Sequence, residues 1–104
     1  MRVADEDLSN LTLPGTYFAR SEISRTSFRN ADLRHSTFCW NDFVDVDFRD
    51  ACLADCDLRA ATFERCRFDG ADLRGATLDS DCSIVLSSAQ RATVVWSDDE
   101  PDGG

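Results

Sequence analysis

From Leu13 onward, every fifth residue of the chain is a large apolar one: Leu13, Phe18, Ile23, Phe28, Leu33, Phe38, Phe43, Phe48, Leu53, Leu58, Phe63, Phe68, Leu73 and Leu78. Apolar residues make up 42% of the 104-residue chain. Fourteen consecutive matches would therefore arise by chance only about a few times in a million, and the repeat sets the fold. A period of five fits neither the i, i+3, i+4 spacing of a helix nor the alternation of a half-buried strand. Inside each unit, however, a short alternation is present. Two residues before the centres stand Leu11, Thr16, Ser21, Thr26, Ala31, Ser36, Asn41, Val46, Ala51, Cys56, Ala61, Cys66, Ala71 and Ala76, and only Leu11 and Asn41 are not Ala, Ser, Thr, Cys or Val. Residues two apart on extended backbone share a face. A small and a large side chain thus point inward together, and the other three positions turn the chain and face water.

Those three positions are polar. Asp32, Thr37, Asp42, Asp47, Asp57, Asp72 and Thr77 precede centres. Arg29, Arg34, Arg49, Arg59, Arg65 and Arg74 follow them, with Asn30, Gly70 and Gly75 suited to tight turns. Segments such as Ala31-Asp32-Leu33-Arg34, Ala71-Asp72-Leu73-Arg74-Gly75 and Ala76-Thr77-Leu78 resemble the A(D/N)Lxx units of pentapeptide-repeat proteins. The resemblance covers about two-thirds of the chain. It implies an all-β fold, a right-handed quadrilateral β-helix of about four coils, with four units per coil and residues twenty apart stacked. The inward ladders are then Leu13/Leu33/Leu53/Leu73, Phe18/Phe38/Leu58/Leu78, Ile23/Phe43/Phe63 and Phe28/Phe48/Phe68. At a strand spacing of about 4.8 Å the regular body is only about 17 Å long. Each coil buries its core only against its neighbours, so the ends need caps.

The pattern divides the chain into four stretches. Residues 1–10 carry no clean repeat; Leu8 is in phase, but Glu6 would then point inward, so they read as a lead-in over the first coil. Residues 11–80 are the β-helix, opened by Leu11 and the Pro14-Gly15 turn. Asn41, inward and polar, needs hydrogen bonds from backbone or from stacked Ser21. For residues 81–96 a one-residue register shift near Asp79-Ser80-Asp81, of the kind a bulge produces, restores the pattern. Cys82/Ile84, Ser87/Ala89 and Ala92/Val94 become inward pairs of a narrowing final coil, with Val95 and Trp96 over its end. A helix over 84–96 is less attractive because β-branched residues dominate its second half. Residues 97–104 read as a disordered acidic tail.

Charge narrows the function. The formal net charge is −9, of which residues 1–10 carry −2, residues 81–104 carry −4 and the repeat body only −3. No basic stripe exists, which disfavours nucleic acid, and the mixed body reads as a solvated surface with Asp/Arg pairs between coils. No run of 18 apolar residues is present, so no membrane span is expected. The N-terminal residues lack the apolar core of a signal peptide, which points to the cytoplasm. Five cysteines (Cys39, Cys52, Cys56, Cys66 and Cys82) without CxxC spacing favour neither disulfides nor zinc. Cys56 and Cys66 occupy inward positions, as compact apolar groups.

No catalytic, cofactor or metal residues are assigned. The one histidine, His35, sits at an outward turn between Gly15 and Asp55 in its column, with no outward Ser or Cys completing a set. Asp42, Asp45, Asp47 and Asp50 lie on different faces or turns, without Ca²⁺-loop spacing. Exposed apolar groups are the better lead. Tyr17, Cys39, Trp40 and Val44 are expected to face outward, with Trp40 between Arg20 and Ala60 in its column and within reach of an Arg20 cation–π contact. Tyr17, Arg20, Cys39, Trp40 and Val44 form the candidate partner surface, although a single surface Trp shelved on its neighbours needs no functional explanation. The leading reading is a non-enzymatic structural or protein-binding module, a monomer or weak dimer with an unknown protein partner. The alternative, from the resemblance, is an acidic DNA mimic that binds gyrase or topoisomerase, as quinolone-resistance members do. Members of that type are longer, with a terminal dimerisation helix or projecting loops, neither of which this sequence suggests.

Overall fold

The computed structural model describes residues 2–18, 20–80 and 84–97. Strands β1 (Arg2–Ala4), β2 (Glu22–Ser24), β3 (Asp42–Val44) and β4 (Thr62–Glu64) form one parallel sheet in sequential order. Partners lie twenty residues apart: Val3 with Ile23, Ile23 with Phe43, Phe43 with Phe63. The remaining sides of each coil are joined by single bridges at the same offset, such as Ser27 to Asp47, Asp32 to Cys52 and Thr37 to Asp57. Four units therefore close one coil.

The corners are as regular as the core. From Asp5 to Gly75 every fifth residue has positive φ, between 47° and 74°, and only Gly15, Gly70 and Gly75 among them are glycines. A left-handed L-residue costs about 1–2 kcal/mol, so backbone ladders above and below must hold each corner. At Gly70 an added Cβ would lie 2.2 Å from Oδ1 of Asp50, so the absent side chain leaves room for the carboxylate of the coil before.

Inside, the expected ladders are present. Phe18 stacks on Phe38 at 5.4 Å, Phe28 on Phe48 at 5.4 Å, Phe43 on Phe63 at 5.1 Å and Phe48 on Phe68 at 5.0 Å, all within 8° of parallel. Rings on adjacent sides of one coil meet edge to face, as Phe43 and Phe48 do at 73°. Both arrangements suit the ring quadrupole. Asn41 is fully buried; its Oδ1 accepts from the Ser21 amide at 2.8 Å and its Nδ2 donates to the Phe18 carbonyl. Both partners are backbone groups. Asn41→Ala should cost about 2–3 kcal/mol in urea unfolding, since two bonds are lost where water cannot replace them. A loss below about 0.5 kcal/mol would show that the amide contributes nothing there.

Both ends depart from expectation. Residues 2–10 are not a lead-in but the first two units of a regular coil, with Val3 and Leu8 as their centres and left-handed corners at Asp5 and Asn10. Glu6 does not disrupt the coil: its side chain is exposed, while its carbonyl accepts from the Ser27 amide. At the other end Ile84 is buried, as the register shift requires, and Val94 is half-buried. Cys82 lies outside the described residues. Ala89 and Ala92, however, are exposed rather than inward. The segment makes one helical turn, α1 (Ser88–Arg91), closed by a reciprocal capping box between Ser87 and Gln90. Ser87-Ser88-Ala89-Gln90 carries that S-x-x-Q signal in the sequence, and the β-branched residues after it masked the signal. Gln90 Nε2 then donates to the carbonyls of Phe68, at 2.7 Å, and Ala71, at 3.1 Å. Strand β6 (Val95–Trp96) returns beside β5 (Thr77–Leu78), Thr77 pairing with Val95, an offset of 18 instead of 20. Ser97, expected in the tail, donates its amide to the Leu78 carbonyl; the rest of the tail, 98–104, lies outside the described residues.

Candidate partner surface

Each corner column has its own chemistry. One alternates in charge, with Arg25 Nε 2.6 Å from Asp5 and Arg65 Nε 2.7 Å from Asp45. Another places His35 Nε2 3.8 Å from Asp55. A third is Arg20, Trp40 and Ala60, with the Arg20 guanidinium 5.5 Å from the Trp40 ring centroid. The small Ala60 follows the indole in that column. Beside it opens a shallow depression of about 400 Å³, lined by Arg20, Ser21, Glu22, Trp40 and Asp42.

The body's carboxylates are mostly neutralised on their own side of the coil. In Asp-x-Arg units the carboxylate accepts from the Arg amide and guanidinium two residues on, as for Asp47 with Arg49, Asp57 with Arg59 and Asp72 with Arg74. The side-chain bonds from Arg49 and Arg74 hold Asp47 and Asp72 below the ordinary carboxylate value. Burial pushes Asp57 up, but hydrogen bonds from Arg59 and the Cys39 thiol outweigh it and leave it lowered. Among the acids of residues 42–50, Asp42 accepts from the Thr62 hydroxyl, Asp45 pairs with Arg65 and Asp47 with Arg49, while Asp50 sits at the corner above Gly70.

The five expected surface residues divide. Tyr17 is 67% exposed and Arg20 exposed, while Trp40 and Val44 are half-buried. Cys39 is a correction: it is 4% exposed, and its thiol points to the Asp57 carbonyl at 3.8 Å. The next coil covers it, because Asp57 and Arg59 fold back beside it. Burial pushes its thiol up to about 12, with the Asp57 charge adding to the effect. It is therefore neither a contact residue nor a nucleophile at neutral pH. Glu22 and Asp42, which sequence reasoning did not assign to this surface, complete the depression; they are Cα partners on β2 and β3, and the twenty-residue offset is the signal that pairs them.

A corner does not need a tryptophan. Its φ of 62° is the left-handed value the fold imposes there, and its Nε1 is buried without a hydrogen-bond partner. Both features work against stability rather than for it.

A family model for pentapeptide repeats matches residues 7–38 and 42–79, in eight copies. The chain belongs to the pentapeptide repeat family. Among solved structures, this pentapeptide repeat chain is similar to alr5209, a pentapeptide repeat protein from Nostoc, at 23% identity and a TM-score of 0.55, over 88% of this chain and 80% of that one. It is also similar to QnrB1, a plasmid-mediated fluoroquinolone resistance protein, at 15% identity and a TM-score of 0.52, over 74% of this chain and 49% of that one. Such likenesses establish the shared right-handed quadrilateral β-helix and nothing about partners. No curated protein matches the chain. Among the described residues no helix is long and apolar enough to cross a membrane.

Proposed function

We propose that this pentapeptide repeat protein is a non-enzymatic binding module of the cytoplasm that engages a protein partner through the Trp40 corner. The observation that carries the reading is a tryptophan held in a left-handed corner, with its N–H unpartnered, beside an open depression. A buried N–H left without a partner calls for an explanation in a native structure, and tryptophan and arginine dominate binding hot spots. Tyr17, Val44, Glu22 and Asp42 extend the surface around this anchor. Free Cys39, Cys52, Cys56 and Cys66 suit a reducing compartment.

The competing reading is an acidic DNA mimic acting on gyrase. Such a mimic presents unneutralised carboxylates along its rod, whereas here Asp5, Asp32, Asp45, Asp47, Asp57, Asp69 and Asp72 each lie within an ion pair with arginine. The test uses wild type and Trp40→Ala as baits for affinity capture at low and high salt. The expected result is a partner that survives high salt and binds roughly 30-fold more weakly to Trp40→Ala, the effect of a hot spot worth about 2 kcal/mol. Melting should be little changed, within the range of a surface substitution. Salt-sensitive, sub-micromolar inhibition of gyrase supercoiling by the purified protein would overturn the reading in favour of the mimic.

A further inference from the structure

Elsewhere on the coil an acid that precedes a core centre is answered by an arginine two residues on, as Asp32 is by Arg34, Asp47 by Arg49, Asp57 by Arg59 and Asp72 by Arg74. Glu22 and Asp42 hold the same position on the parallel sheet, but the residues two on are Ser24 and Val44. Both acids are exposed. Among the described residues neither lies in an ion pair. Asp42 accepts the Thr62 hydroxyl at 2.7 Å, a neutral donor. The two acids are Cα partners on β2 and β3, so their side chains leave the sheet about 4.8 Å apart. Like charges directly opposite on neighbouring strands are destabilising, and no arginine of their own units relieves these two. Together with Arg20, Ser21 and Trp40 they line one open depression. It offers an aromatic wall beside a pair of carboxylates.

We propose, on the reading that the Trp40 corner is the contact, that the protein partner seats an arginine side chain in this depression. Its guanidinium is forked between Glu22 and Asp42, with its plane against the Trp40 indole. Charge complementarity selects a cation, because the depression holds two carboxylates against the one guanidinium of Arg20, which lies over the indole 5.5 Å from its centroid. The spacing selects arginine over lysine. A planar fork donates to two carboxylates at once and stacks on aromatic faces, whereas an ammonium is a strongly hydrated point charge. An acidic segment would meet Glu22 and Asp42 and be repelled. A guanidinium held against an indole is partly out of water, where salt screens it less, so the contact is compatible with a complex that survives high salt.

An NMR titration of the nitrogen-labelled full chain with acetyl-Gly-Arg-Gly-amide tests the proposal. It is followed through the indole N–H of Trp40 and the backbone amides of Glu22 and Asp42, with Trp96→Phe used to assign the indole signals of the two tryptophans. The peptide should shift all of these signals saturably, with a Kd of roughly 1 mM. The lysine counterpart should bind at least about threefold more weakly. The citrulline counterpart, which has the same shape without the charge, should leave the signals unmoved. Glu22→Gln combined with Asp42→Asn should weaken the arginine peptide at least about fivefold, the effect of losing two partly exposed ion pairs. Both changes keep the side-chain shape and an acceptor for the Thr62 hydroxyl, so folding is not at issue. Glu64→Gln, at an acid of the same sheet already paired with Arg65, should change nothing. Absence of a saturable shift at Trp40, equal binding of the citrulline peptide, or full binding by the double variant would each overturn the arginine contact. The two readings fail separately: a captured partner that Trp40→Ala releases and the double variant holds unchanged would leave the Trp40 contact standing and overturn the arginine.

Discussion

Phe48→Ala should destabilise the protein by about 3–5 kcal/mol, the range for removing a buried phenylalanine and leaving its cavity. The ring is 1% exposed. It stacks on Phe28 at 5.4 Å and Phe68 at 5.0 Å, and meets the edge of Phe43 at 5.4 Å. Truncation therefore interrupts a three-ring column at its middle. Neighbouring coils cannot collapse into the gap, because their spacing is fixed by backbone ladders on all four sides. For a domain of this size the melting temperature should fall by more than about 12 °C. Phe18→Ala provides the internal comparison. Its ring has one stacked neighbour, Phe38, and is only half-buried. It should cost distinctly less than Phe48→Ala, and equal losses at the two positions would show that the coils do not stack as a column.

The second large effect is expected from truncation after Ser80. The deletion removes β6, the capped turn α1 and buried Ile84. It also removes the Gln90 amide that satisfies the Phe68 and Ala71 carbonyls. The last layer, Phe63, Phe68, Leu73 and Leu78, would then face water from below. A solenoid needs its terminal cap for solubility, so the truncated chain should associate or lose its cooperative melting transition. A truncated protein with unchanged melting and sedimentation would show that the segment is not a cap. Deleting only 98–104 should change neither property.

The sequence by itself determined the coil. A large apolar residue every fifth position, with a small one two before it, fixes which side chains face the core; the offset of twenty, from which the aromatic ladders and the Asn41–Ser21 bond follow, was implied by the resemblance to pentapeptide-repeat proteins. The first coil was legible as well, since Val3 and Leu8 keep the phase, but Glu6 obscured it: periodicity marks Glu6 as inward without marking that its coil is the first. The capping box at Ser87 and Gln90 was likewise written in the chain and outweighed by β-branched neighbours. Other features belonged to the tertiary structure alone. Spacing tells which way a side chain leaves its own backbone, while its exposure depends on what the coil twenty residues away places beside it. Cys39 leaves an outward position and is buried by the Asp57–Arg59 unit, whereas Trp40, next to it, is followed in its column by Ala60 and stays half-open. Only packing between coils could bury one of two consecutive residues and leave the other half-open.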